Sequence, residues 1–151
     1  MGEANYDSTP TLATYMTNGL DGLADNTTNV GGTIFDNSSN LDFYMCAELV
    51  LNSVDLSSET NPTVELYMVP SIDGTNYCDT GSDASSTDIP PASTLAGIFI
   101  IQETNASHRA GIEMFRIGPL KYTPVIINKT GQAFHATTNT LKMGTFSETT
   151  A

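Results

Sequence analysis

The chain has 151 residues, 39% of them hydrophobic and 15% charged, which is enough for one core of ordinary size and not for two. Its formal charge is −12, and the charges are segregated: no Lys or Arg precedes Arg109, while Arg109, Arg116, Lys121, Lys129 and Lys142 are opposed only by Glu113 and Glu148 in the remainder. This excludes a basic stripe for nucleic acid. No apolar run approaches the roughly 20 residues of a membrane span, and the opening MGEANYDSTP has neither the basic nor the apolar region of an export signal.

Residues 1–25 are poor in large apolar side chains. Leu12, Tyr15, Met16, Leu20 and Leu23 permit a helical turn without demanding one, so the stretch reads as an extended N-terminal arm that packs on something else or stays mobile. Residues 26–151 read as one β domain. Val30–Phe35 is a short strand closed by the turn cluster of residues 36–40. Leu41–Leu51 alternates, with Leu41, Phe43, Met45, Ala47, Leu49 and Leu51 on the core face and Asp42, Tyr44, Cys46 and Glu48 on the other. A polar loop, Asn52–Pro62, leads to the strand Thr63–Val69, where Val64, Leu66 and Met68 alternate with Glu65, Tyr67 and Val69. Pro70 and the pair Asp73-Gly74 then turn the chain.

Asn76–Pro91 is the longest polar segment, of a length usually functional or mobile. Leu95–Ile101 is almost continuously apolar, which suits a central strand covered on both faces. His108–Ile117 gives another strand before Gly118-Pro119. Tyr122–Asn128 follows, its Pro124 suggesting an edge position or a bulge. Ala133–Ala136 and Thr140–Phe146 end the series. About eight short strands separated by turn signals predict an all-β fold, an antiparallel β-sandwich resembling a jelly roll. An immunoglobulin-like sandwich is the alternative, and the lack of Trp and of a suitably spaced Cys pair weighs against it.

Chemistry is sparse. The two histidines, His108 and His135, lack the further ligands of a zinc site, and each reads as an ordinary strand or turn residue. No Ser lies in a G-x-S-x-G elbow, and there is no Gly-rich phosphate loop, so the chain does not read as an enzyme and no cofactor is expected. Asp79, Asp83 and Asp88 offer oxygens, but not at the spacing of a calcium loop. Cys46 and Cys78 read as free thiols, although a single bridge stays open. The four N-x-[ST] triplets at Asn26, Asn37, Asn105 and Asn128 are about what so Asn- and Thr-rich a composition supplies by chance.

Three ordered segments carry a resemblance. The strand Val64–Ser71 runs into Asp73-Gly74-Thr75-Asn76-Tyr77; Asn128-Lys129-Thr130-Gly131-Gln132-Ala133 comes later; Asn139-Thr140-Leu141-Lys142 closes the set. Together, over roughly residues 40–146, they resemble a family of small virion proteins of tailed bacteriophages. Where that family carries a Leu-Pro-Pro turn, this chain has Ile117-Gly118-Pro119-Leu120. The resemblance implies a non-catalytic capsid decoration (cement) protein: a jelly-roll domain that forms a homotrimer, binds the major capsid protein on the outer surface of the head, and is made in the host bacterial cytoplasm. Neither nucleic acid nor membrane is then a partner. The segregated charge suggests that Arg109, Arg116, Lys121, Lys129 and Lys142 mark the side facing the capsid. The alternative is a carbohydrate-binding jelly-roll module of a tail fibre or receptor-binding protein, which exposed Tyr44 and Tyr67 on one open face would favour.

Overall fold

The computed structural model describes residues 4–6, 9–17, 19–30, 32–79 and 87–150. Among the described residues there are eleven strands: β1 Ala4–Tyr6, β2 Ala13–Met16, β3 Thr28–Val30, β4 Phe35–Asp36, β5 Tyr44–Asp55, β6 Thr63–Ser71, β7 Leu95–Ile100, β8 Asn105–Arg116, β9 Lys121–Lys129, β10 Thr140–Phe146 and β11 Glu148–Thr150, the longer of them, such as β5, built on alternating apolar residues. One antiparallel sheet has the order β2-β10-β5-β8 and the other β3-β9-β6-β7, with β4 also on β9, beyond the end of β3. Strand pairs are nested: β6 with β7, β5 with β8, β3 and β4 with β9, β2 with β10, and β1 with β11. A long double ribbon rolled so that β5 also meets β10 and β6 also meets β9 is a jelly roll.

The core lies between the sheets. Met45, Leu49 and Leu51 of β5 meet Val64 and Leu66 of β6, Phe99 of β7, Ile126 of β9 and Leu141 and Met143 of β10, all essentially without solvent contact. A smaller cluster, Tyr67, Val69, Val125 and Ile127 with Val30, lies on the outer face of the β6/β9 sheet. The β6–β7 connection is tied to this sheet at both of its described ends. Cys78 donates to the Pro70 carbonyl of β6, and the Thr28 hydroxyl of β3 donates 2.6 Å to the Asp88 carbonyl.

Several sequence expectations need correction. From Ala13 onward the N-terminal stretch is part of the sandwich: β2 is a sheet strand, and Met16, Leu20 and Leu23 enter the core. The arm is extended as expected, but it lies on the chain's own sheet, where a Cβ on Gly144 of β10 would meet the Thr11 carbonyl at 2.8 Å. The strand expected at Val30–Phe35 is not one strand: β3 ends at Val30 and β4 begins at Phe35. Leu41 is exposed and precedes β5 in a left-handed conformation (φ 58), whereas β5 runs on to Asp55 and buries Val54. Residues 133–136 are not a strand, because the Phe134 N–H bonds the Leu23 carbonyl and the ring is buried. Pro124 sits in the central strand β9, opposite the interval between β3 and β4 where the sheet has no neighbour on that side. There a missing donor costs the ladder nothing. Conversely β7, expected at the centre, is an edge.

The residues that carry the resemblance have structural work. Asn128 is fully buried: its Nδ2 donates to the carbonyls of Leu23 and Gln132 at 2.9 and 2.8 Å, and its Oδ1 accepts from the N–H and hydroxyl of Thr130. Asn139, equally buried, ties Asp21 and the His135 carbonyl to the Asn52 N–H. Both asparagines thus fasten the N-terminal stretch to the rest of the sandwich. Burial of Asn37 and Asn128 also removes two of the four glycosylation triplets as acceptors.

Asp73 closes the turn after β6. Its carboxylate accepts from the N–H groups of Asn76 and Thr75, the Asn76 amide and the Ser71 hydroxyl, and those bonds hold it well below the usual carboxylate range, the Asn76 bonds foremost. A lowered folded pKa stabilises above the unfolded pKa of about 3.9 and is lost as pH falls below it toward the folded value. Asp73→Asn should therefore lower the thermal midpoint at pH 7 and cost progressively less as the pH is taken from 4 to 2, which thermal melts across that series would read.

Candidate interaction surface

At one side of the sandwich both sheets end, β7 closing one and β8 the other. β7 reads Leu-Ala-Gly-Ile-Phe-Ile, with no charge and no proline. Phe99 points into the core, whereas Leu95, Ile98 and Ile100, which pair with Tyr67, Glu65 and Thr63 of β6, share the outer face and are 41%, 46% and 79% exposed. On β8, Met114 is half exposed. Open edges usually carry Lys, Pro or inward-pointing charge to stop further strands from adding. β7 carries none, and a stripe of exposed apolar side chains on an open strand marks a surface for another protein chain.

The five cations do not share a face with each other. Arg109 and Lys142 converge on Glu48, at 2.7 and 3.9 Å, on the outer face of the β5 sheet. Lys121 lies 3.5 Å from Asp36 at the start of β9, and Lys129, at the far end of that strand, donates to Asn26. Arg116 ends β8 beside Tyr44. The sequence shows that positive charge is confined to the last third of the chain, but rolling distributes those strands over both sheets. Exposed pairs of this kind contribute little to stability.

A groove of about 660 Å³ lies under the N-terminal stretch, lined by Tyr6, Pro10, Cys46, Met114 and Phe146 among others. Its rings pack on one another, Phe146 stacking on Tyr44 at 5.6 Å and meeting Tyr6 in a T-shaped contact at 5.4 Å, while Tyr6 stays exposed. Tyr67 belongs to the opposite sheet, buried with its hydroxyl donating to Glu65 at 2.8 Å, and burial foremost, then that carboxylate, pushes its pKa up to about 12. Tyr44 and Tyr67 therefore do not form one platform.

His108 is buried and donates from Nε2 to the Val54 carbonyl; His135 is exposed, its Nδ1 3.1 Å from the Asn52 amide. Both cysteines are free, and burial raises the pKa of the Cys46 thiol. Among the described residues no three His, Cys, Asp or Glu side chains converge as a metal site requires. Asp83 of the acidic loop lies outside those residues. No helix among them is long and apolar enough to cross a membrane. Comparison with family models, curated proteins and solved structures gave no match.

The apolar run at 95–100 was visible in the sequence, but its exposure was not. A central strand and an unprotected edge strand have the same composition, and only the pairing tells them apart.

Proposed function

We propose that this chain is a capsid decoration protein of a tailed bacteriophage, which binds the outer surface of the head and stabilises the shell without catalysis. The observation that carries the reading is the uncharged β7 edge with its exposed Leu95, Ile98 and Ile100. Such a surface suits a protein that works assembled with other protein chains, here its own copies and the major capsid protein. Stabilisation follows from linkage: a protein that binds only the assembled, expanded shell shifts the equilibrium toward that shell by mass action. Several weak contacts per assembly add as avidity. The resemblance in the three segments supplies the identity of the shell, and the jelly-roll pairing is the fold it implies.

Mixed with decoration-free heads, the protein is expected to co-sediment with expanded heads, leave unexpanded ones bare, and raise the temperature at which the shell opens. Protein that stays in the supernatant with both forms would overturn the proposal. A carbohydrate-binding module is the second reading, favoured only by the aromatic groove at Tyr6 and Phe146. Glycan-array binding abolished by Tyr6→Ala would establish it instead.

A further inference from the structure

We propose that β7 and β8 form a two-fold interface with a second copy of this chain, the two sheets of one sandwich continuing edge to edge into those of the other. The inference does not rest on the capsid reading. A net charge of −12 opposes contact between copies over most of the surface, and β7 adds no charge to that opposition while exposing Leu95, Ile98 and Ile100.

The edge is complementary to itself. On β7 the exposed large side chains Ile98 and Ile100 follow the small pair Ala96 and Gly97. Antiparallel pairing of two copies about Ile98 sets Ile98 against its equivalent and each Ile100 beside the other copy's Ala96, which sits at the register shift in β7 and packs its small side chain toward its own core, leaving room on the outer face. It also satisfies the row of backbone donors and acceptors that an edge strand leaves open.

β8 repeats the symmetry in charge. Arg109 and Glu113 stand two residues to either side of Gly111, both exposed and lining one depression on the sheet's outer face. Antiparallel pairing of β8 with its equivalent about Gly111 brings each Arg109, which already bonds Glu48 of its own chain at 2.7 Å, beside the other copy's Glu113 as a second carboxylate partner. The two centres lie at one level of the sandwich, since a Cβ on Gly97 of β7 would touch the Ile112 side chain of β8 at 2.8 Å. One axis through Ile98 and Gly111 therefore serves both sheets, and the contact is isologous.

Sedimentation equilibrium on the intact chain tests this. The wild type is expected to reach twice the 16.1 kDa chain mass and no more. Ile98→Glu, at a position open to solvent, should keep the strand spectrum and thermal midpoint of the monomer while weakening the dimer by about a hundredfold, because two carboxylates then face each other in an apolar contact. Arg109→Glu and Glu113→Arg should each weaken it about tenfold, and the double exchange should recover most of the loss. Ile98→Cys in a Cys78→Ser background should give a disulfide-linked dimer in air. A monomer at every concentration, a trimer, or a dimer indifferent to both Ile98→Glu and the charge exchange would overturn the proposal. Wild-type dimers that leave expanded heads bare would overturn the capsid reading and leave this one standing.

Discussion

Phe99→Ala is expected to destabilise the fold by about 4 kcal/mol, the usual cost of emptying a fully buried phenylalanine site, and to lower the thermal midpoint by about 12 °C at this chain length. Phe99 is entirely buried and is the large β7 side chain in the core, with Ala96 packed beside it, while Leu95, Ile98 and Ile100 of the same strand face out. Its removal leaves a cavity between β7 and the opposite sheet, whose β8 carries Ile112 against Gly97. The edge strand then loses its anchor, so amide exchange in β7 should rise further than in β9 or β5. Phe99→Leu, which keeps most of the volume, should cost less than about 1.5 kcal/mol. A loss below about 1 kcal/mol for the alanine variant would mean that β7 is not held by this side chain.

Asn128→Ala should cost about 3 kcal/mol, since it strips partners from buried groups rather than removing an exposed contact. The carbonyls of Leu23 and Gln132 each lose one of two donors, the N–H of buried Thr130 loses its acceptor, and its hydroxyl keeps only the Gln132 carbonyl. The Leu23 bond spans the sandwich from the N-terminal stretch to the end of β9, so the same variant should loosen residues 20–26 selectively. Denaturant titration measures the first effect and amide exchange the second. Asn128→Asp keeps the accepting oxygen but buries a charge, and its deficit should shrink as the pH is lowered and the carboxyl gains a proton to donate. Equal exchange rates at residues 20–26 in wild type and variant would refute this account of Asn128.

Sheet periodicity was legible where one face meets the core and the other meets water. The alternation in β5 and β6 assigned Met45, Leu49, Val64 and Leu66 to one face, and that face lies in the interior. It failed where neighbours rather than side chains decide. Pro124 suggested an edge because the gap between β3 and β4 that accommodates it is a property of the pairing. Leu95–Ile101 suggested a centre because nothing in its composition reports a missing neighbour. Residues 13–25 looked too polar for a core, yet Met16, Leu20 and Leu23 are buried, secured by hydrogen bonds that Asn128 donates to the Leu23 carbonyl and Asn139 to the Asp21 carboxylate, which no local pattern encodes. The candidate surface was not legible: the five cations named from the sequence are spread over both sheets, and the run that holds the exposed isoleucines suggested a covered centre.

The nesting of the strand pairs sets a timetable. The innermost pair joins Tyr67 to Leu95, and each pair outside it spans more chain, until Ala4 meets Thr150. Closing the outer pairs from an unfolded chain costs the most entropy, and each inner pair already formed shortens the loop left to close. Assembly should therefore proceed as a zipper from the β6–β7 ribbon outward, at the slow rates typical of non-local β topologies. A chain emerging during synthesis can form its central ribbon early but cannot complete either sheet until β9 and β10 are available. Until then the uncharged strand at residues 95–100 is exposed with its core side uncovered, which makes that interval the chain's period of greatest exposure to aggregation.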